Sequence, residues 1–251
     1  MRIVKFFCLI FSLIYNLDME KLDYIPKTNL YMKHVDKSYS FGIDSILLAN
    51  FAKMKKNRRL IDIGAGSGIL SLASFYYYDL DKVYSIEIQK EKAKLLKENL
   101  KINSIDKIEV INDDLNKLNF KENFTDYIIT NPPYYKKGAN IKNKDEEFLI
   151  SRQEIKMNLS DIFKFSNKVL KDKGKLFMIH KPERLVDIIK ESGNLKLKRI
   201  KFVQSKAFEK PVFVLMEFVK NANDGLKFEN PLVIYDENSN YTKEVNEING
   251  L

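Results

Sequence analysis

The sequence predicts an α/β fold: a mainly parallel sheet with helices on both faces. Three observations predict it. Short apolar runs alternate with segments of helical spacing from about residue 44 onward, the pattern of strand-helix-strand units. The last two apolar runs are joined by a polar connection without helical spacing, which places an antiparallel hairpin at one edge. The chain has 251 residues, 45% of them hydrophobic, and 9 glycines; that suits one α/β domain with a full core and excludes a disordered or fibrous chain.

The elements follow in order. Residues 44 to 55 read as a helix, because Ile46, Leu47, Phe51 and Met54 recur at helical spacing and Asp44 or Ser45 can cap its start. Leu60-Ile61-Asp62-Ile63 is a short buried strand, 64 to 68 a glycine-rich turn, and 69 to 78 a helix. Residues 83 to 88 form a strand, and a charged helix spans about 90 to 103. Strands follow at 108 to 111 and 127 to 130, then a helix at 158 to 170, a strand at 175 to 179 and a helix at 183 to 191. The runs 198 to 203 and 212 to 219 make the hairpin, and residues 221–251 read as a polar tail. Repeats and a second domain are not evident.

The first eighteen residues are an apolar extension. Arg2 and Lys5 precede the run Phe6 to Leu17, which resembles a signal-peptide core without a small-residue cleavage site and is short for a membrane span. The preferred reading is a natural start at Met19 and a cytoplasmic protein with no stable membrane association; a membrane-anchored form is the alternative. One cysteine, Cys8, excludes an internal disulfide and a multi-cysteine zinc site, and with only His34 and His180 besides, metal catalysis is not expected. The net charge of +9 favours a polyanionic partner, nucleic acid above all, although a lysine-rich proteome gives the same balance. Lys53 to Arg59 holds five basic residues that can bind phosphate, or simply form a solvated helix end.

Asp62-Ile63-Gly64-Ala65-Gly66-Ser67-Gly68 lies where a strand turns into a helix. Glycines let the backbone pass close to a ligand, and the helix start offers free N–H groups. The spacing is G-x-G-x-G, with Ile69 where a dinucleotide fingerprint needs its third glycine, and the Gly-Lys-Ser/Thr ending of a P-loop is missing. Glu87, at the end of the next strand, falls 23 residues after Gly64. Alone it would read as a solvated charge; with the glycine turn it reads as an acceptor for both ribose hydroxyls of a nucleoside. Asp113 or Asp114, with Asp114 preferred, can accept from an adenine amino group.

Asn131-Pro132-Pro133-Tyr134 ends the strand 127 to 130. Two prolines stiffen the backbone and stop any ladder. An amide side chain, a free backbone carbonyl and an aromatic ring are thereby held together, a set that can grip a flat group carrying an amino nitrogen.

Asp62 to Gly68, Glu87, Asp114 and Asn131 to Tyr134, in this order at strand ends, resemble the class I S-adenosylmethionine-dependent methyltransferases. The resemblance implies a Rossmann-like, mostly parallel seven-stranded sheet with an antiparallel strand near one edge. It makes Asp62, Gly64, Ala65, Gly66, Gly68, Glu87 and Asp114 the S-adenosylmethionine site, within a domain of residues 59–220. The blocks Tyr39 to Ala49, Ser151 to Glu154 and His180 to Leu185 narrow it to a family similar to the bacterial tRNA adenine-N6 methyltransferases acting at position 37 of a valine tRNA. In that family the N-terminal motif closes over the methionine end of the donor, so Tyr39, Phe41, Asp44 and Ser45 join the cofactor site within a cap segment, residues 19–58. The resemblance implies tRNA as partner. Asn131 and the Pro132 carbonyl would each accept one amino hydrogen, with Pro133 stiffening the turn and Tyr134 stacking on the base. The polar stretch Tyr135 to Glu147 would be a basic lid or a solvated loop, and Arg152 and Arg184 would contact RNA or pair with acidic neighbours.

NPPY alone does not fix the substrate. Protein glutamine N5-methyltransferases and rRNA guanine or adenine amino methyltransferases use the same or a related motif. The former carry a longer helical domain before the donor motif, and here about forty residues separate Met19 from Asp62. An RNA-binding protein with a vestigial donor site is the non-enzymatic alternative.

Overall fold

The computed structural model describes residues 22–33, 42–134 and 158–251. The apolar N-terminal run, Tyr39, Phe41, the stretch 135–147, the 151–154 block and His34 lie outside the described residues. Two short strands, β1 (Leu22–Tyr24) and β2 (Tyr31–Lys33), pair as an antiparallel hairpin before the sheet begins. Helix α1 (Ile43–Phe51) leads into β3 (Arg59–Ile63), α2 (Ile69–Tyr78), β4 (Lys82–Ile86), α3 (Lys90–Ile102) and β5 (Ile108–Ile111). The chain returns through β6 (Thr125–Thr130), α4 (Leu159–Val169), β7 (Leu170–His180), α5 (Leu185–Glu191), β8 (Leu195–Gln204) and β9 (Pro211–Lys220). Two short strands, β10 (Lys227–Phe228) and β11 (Leu232–Val233), and helix α6 (Lys243–Asn249) complete it.

The sheet runs β10-β8-β9-β7-β6-β3-β4-β5, with β11 also on β8. Seven long strands, β3 to β9, form the expected sheet. β9 alone opposes its neighbours β7 and β8, so the predicted hairpin is present. It is not the outermost feature, because β10 and β11 add to β8 in parallel. The segment after residue 220, read as a polar tail, therefore contributes strands, and Leu232, Ile234 and Val245 are buried in the core. Its apolar residues are too few and too scattered to give a periodic signal.

Alternation along β3 sorts side chains between two layers. Leu60 joins the core under α1, α2 and α3, while Ile61 and Ile63 join the core under α4 and α5. Each fully buried Leu, Ile or Phe here contributes about 1.5–3 kcal/mol of hydrophobic stabilisation. β7 starts five residues before the expected Lys175: Leu170 pairs with Thr125, and the polar run Lys171-Asp172-Lys173-Gly174 falls in the irregularity before Lys175 pairs with Tyr127. α1 ends at Phe51 rather than residue 55. Its N-cap is Gly42, with no side-chain cap, so neither Asp44 nor Ser45 caps it.

The topology positions a site. The chain lays down β3, β4 and β5 toward one edge, then returns to place β6 on the other side of β3. The carboxyl ends of β3 and β6 therefore flank the point where strand order reverses, the crevice in which open α/β sheets bind ligands. Ile63 and Thr130 are register partners, so the residues that follow them, Gly64 and Asn131, emerge side by side.

Candidate active site at the β3 and β6 strand ends

The glycine turn after β3 depends on unusual backbone. Gly64, Gly66 and Gly68 all have positive φ, at 73°, 58° and 99°, a region that side-chain-bearing residues rarely adopt. Gly68 is also a close approach, since a Cβ there would collide with Leu96 of α3. At Gly66 a Cβ would meet nothing within 4 Å, so this part of the turn faces open space. Gly64 and Ala65 donate their N–H groups to the Ile86 carbonyl at 2.9 and 3.0 Å, which docks the turn on the end of β4.

Glu87 completes the turn. It is 4% exposed, and its two carboxylate oxygens accept from the N–H groups of Gly66 at 2.8 Å and Gln89 at 2.7 Å. Beneath it, Asp62 is fully buried and accepts from Ser71 Oγ at 2.6 Å, with Ser85 Oγ a further 2.6 Å away. Its other oxygen, Oδ1, has no hydrogen-bond partner among the described residues. Burial above all, and then the charge of Glu87, pushes the Asp62 carboxyl up to about 7 against the pull of Ser71. Asp62 thus ties β3 to α2 through Ser71. Asp114 is half-buried and caps the short turn Leu115–Lys117 through Asn116 N–H at 2.9 Å, whereas Asp113 is exposed.

A second set of predicted residues sits beside it. Thr130 is buried and donates through Oγ1 to the Ile63 carbonyl at 2.8 Å, locking β6 to β3 one residue before Asn131. Pro132 is buried, and Pro133 half-buried. The Asn131 amide nitrogen donates to Asp44 Oδ2 at 3.0 Å and to Ser45 Oγ at 3.1 Å. The Tyr134 hydroxyl lies between Asp44 Oδ2 and Asn131 Oδ1, at 2.7 Å from the latter. Burial first, and then the neighbouring Asp44 carboxylate, raises its pKa far above the ordinary phenol value, so it is a neutral donor. The Tyr134 ring packs edge-on against His180, at 5.5 Å, and tilted against Phe213, at 5.6 Å. Lys181 Nζ stands 4.4 Å from the Phe213 ring centre and 5.4 Å from that of Tyr134. His180 accepts at Nδ1 from Lys181 N–H at 2.8 Å; burial, then Arg184, lowers it to about 4, so it is neutral near pH 7.

The predicted residues therefore gather as two adjoining sets, one around Gly64 to Gly68 and Glu87, the other around Asn131 to Tyr134. Asp44 and Ser45, read as donor ligands, face Asn131 and Tyr134. The Lys53 to Arg59 run lies at the opposite, amino-terminal end of β3 and serves ion pairs, Lys53 with Glu229 at 3.7 Å and Arg58 with Asp126 at 3.3 Å. Arg184 pairs with Asp187 at 3.1 Å. Asn99 was not anticipated. Buried in α3, it accepts from Lys33 N–H at 2.8 Å and donates to the Ser67 carbonyl at 3.0 Å, tying the β1–β2 hairpin to the glycine turn. A buried-face asparagine in a helix of otherwise charged and apolar residues was the available signal. No helix among the described residues is long and apolar enough to cross a membrane. Nor do the described residues hold a group of three or more metal-ligating side chains.

Comparison with known proteins agrees with this geometry. A relative in Haemophilus influenzae (strain 86-028NP), a tRNA1(Val) (adenine(37)-N6)-methyltransferase, is 25% identical over 206 residues, covering 80% of this chain and 86% of its own. A protein of the same name in Tolumonas auensis is 26% identical over 191 residues, 73% of this chain and 78% of its own. Among solved structures, a predicted O-methyltransferase from Agrobacterium tumefaciens superposes with a TM-score of 0.65 at 21% identity, covering 82% of this chain and 95% of that one. P. horikoshii TYW2 in complex with MeSAdo gives a TM-score of 0.54 at 19% identity, over 80% of this chain and 71% of that one. The methyltransferase small domain model matches residues 35–192, more than half of the chain, from the cap segment through both strand-end sets. The chain belongs to the methyltransferase small domain family, and its fold is that of solved methyltransferases.

Proposed function

We propose that this protein transfers a methyl group from S-adenosylmethionine to the exocyclic amino group of an adenine in tRNA, position 37 of tRNA1(Val) by likeness to the relatives of that name. The observation that carries the reading is the adjacency of the two sets: a glycine turn after β3 and Asn131-Pro132 after β6, on strands whose last residues are register partners.

The donor half fits a nucleoside. Gly66 faces open space where a side chain would intrude. Each Glu87 oxygen already holds one backbone N–H and has a further lone pair for a ribose hydroxyl. Asp114 is the half-buried acid of its pair and suits the adenine amino group of the donor. Residues 19–58 act as a cap, a reading supported by the Asn99 bridge from Lys33 to Ser67. Tyr39 and Phe41, between β2 and α1 in the chain, would close over the methionine end.

When bound, S-adenosylmethionine supplies an electrophilic methyl group. The chain's own residues supply position and fixed dipoles. An adenine amino group is a weak nucleophile because its lone pair is delocalised into the ring. Asn131 Oδ1 and the Pro132 carbonyl each accept one amino hydrogen, which draws the nitrogen toward tetrahedral geometry and frees its lone pair. Tyr134 stacks on the base, and Lys181 beside it favours an anionic substrate. Neutral His180 stays a packing group against Tyr134. A tRNA substrate places the protein in the cytoplasm, and the target base must leave its stack to reach the corner.

Nucleoside mass spectrometry of tRNA from a deletion strain tests the reading. Loss of N6-methyladenosine from one valine tRNA is expected. An unchanged tRNA profile, or loss of methylation from a release-factor glutamine or from rRNA instead, overturns it.

A further inference from the structure

We propose that Asp44 is the positioning residue of the acceptor corner: its carboxylate fixes which way the Asn131 amide points and leaves the amide oxygen for the substrate. The inference rests on the role given to Asn131 above, and it departs from the donor-binding role that sequence resemblance assigns to Asp44.

An asparagine side chain is nearly symmetrical in shape, so packing alone does not choose between its two flips. Hydrogen bonding does. Asn131 Nδ2 has two hydrogens and meets two acceptors, Asp44 Oδ2 at 3.0 Å and Ser45 Oγ at 3.1 Å. The flipped amide would set its oxygen 3.0 Å from a carboxylate oxygen, trading a charge-assisted hydrogen bond for the repulsion of two acceptors. A base whose amino group must donate to Asn131 would then face an NH₂. The chemistry of the corner thus depends on this choice.

Asp44 also acts through Tyr134. The phenol has one hydrogen and two nearby acceptors, Asp44 Oδ2 and Asn131 Oδ1. The charged carboxylate anchors the hydroxyl, and the Tyr134 O–H is within donating distance of Asn131 Oδ1, which favours the same orientation of the amide. An amide oxygen has two lone pairs, so one remains for the incoming amino group.

The carboxylate itself is held. Its Oδ1 accepts from Ser45 N–H at 2.8 Å, and it sits in the first turn of α1, where the helix dipole favours negative charge. The far end of α1 is anchored as well. Arg199, buried in β8, donates to the Phe51 carbonyl at 2.7 Å and lies 3.8 Å from the Phe51 ring centre. Asp44 and Asn131 are 87 residues apart, so their meeting is a product of the fold rather than of a local turn.

Three variants test this in the full chain: Asp44→Asn, Asn131→Asp, and the two together. Turnover is read at saturating donor and tRNA, and donor affinity by calorimetry. For Asp44→Asn, turnover falls about 10- to 100-fold, the scale of a misplaced reacting group, while the donor Kd stays within about twofold. Asn131→Asp sets two carboxylates against each other and loses more. The exchanged pair restores donor-to-acceptor complementarity and recovers at least about tenfold over Asn131→Asp, a coupling that independent sites do not show. Normal turnover with a weakened donor Kd in Asp44→Asn overturns the proposal in favour of donor binding, and an exchanged pair no better than Asn131→Asp overturns it as well. A readout free of substrate keeps it separate from the tRNA reading. The Asn131 side-chain amide protons, followed by NMR, exchange slowly in the unaltered protein and rapidly in Asp44→Asn. Equal exchange in both sinks the positioning role whatever the substrate proves to be.

Discussion

The turn after β3 and the turn after β6 are neighbours by register, yet they are built by different means. The turn after β3 is made of backbone: three glycines at positive φ, docked by N–H groups on Ile86 and Glu87. Its geometry is encoded within about a dozen contiguous residues plus one strand-end acid. The corner after β6 is made of side chains from distant places in the chain, Asp44 and Ser45 from α1, Asn131 and Tyr134 from the segment that follows β6, and His180 and Phe213 from β7 and β9. A backbone-built site tolerates change in the residues around it and fails when a glycine is lost. A side-chain-built site fails one residue at a time, with function lost before stability.

That contrast predicts separable defects. The largest belongs to Asn131→Ala, which removes a fixed dipole at the reacting amino group. Turnover should fall by about a thousandfold, the scale of losing one such group in other enzymes, with donor affinity measured by calorimetry nearly unchanged. A parallel loss of donor binding would erase the division between the two halves. Glu87→Ala should show the reverse. Donor Kd rises about 10- to 100-fold, the cost of charged hydrogen bonds worth about 1.5–3 kcal/mol, and turnover at saturating donor is affected less. A Kd within about twofold of the unaltered protein would remove Glu87 from the donor site.

The smallest effect concerns Asp62 and is read in stability. Its folded-state pKa is raised from 3.8 to about 7, so in the range between them the folded state holds a proton that the unfolded state has released. Its contribution is fully present below the lower value and is lost as pH rises through the upper one. The melting temperature should decline more steeply in the unaltered protein than in Asp62→Asn between about pH 5 and pH 8. Parallel curves would show that burial does not hold the proton on Asp62.

The same contrast explains what the sequence could and could not disclose. The alternation of apolar runs located the seven long strands, and α2 and β5 fall at their expected ends, because each depends on a local period. The glycine turn itself is legible because its glycines are contiguous, and Glu87 falls beside it because the next strand ends there. The partners of Asn131 are not legible. Asp44 looked like a helix cap because capping is the local use of an acid at a helix start. Only the return of β6 beside β3 reveals an amide that takes its carboxylate instead. Asn99 is marked only as the single uncharged polar side chain of its helix, and Phe213 not at all, because a single aromatic in a strand carries no pattern. The strands β10 and β11 and the helix α6 escaped because each is short and mostly polar.

The most direct measurement combines the two halves in one reaction. Purified protein is incubated with unmodified tRNA and methyl-labelled S-adenosylmethionine, and the RNA is digested to nucleosides. The account predicts label in N6-methyladenosine and nowhere else. Label in another nucleoside, or none in tRNA under conditions where the donor binds, would contradict it.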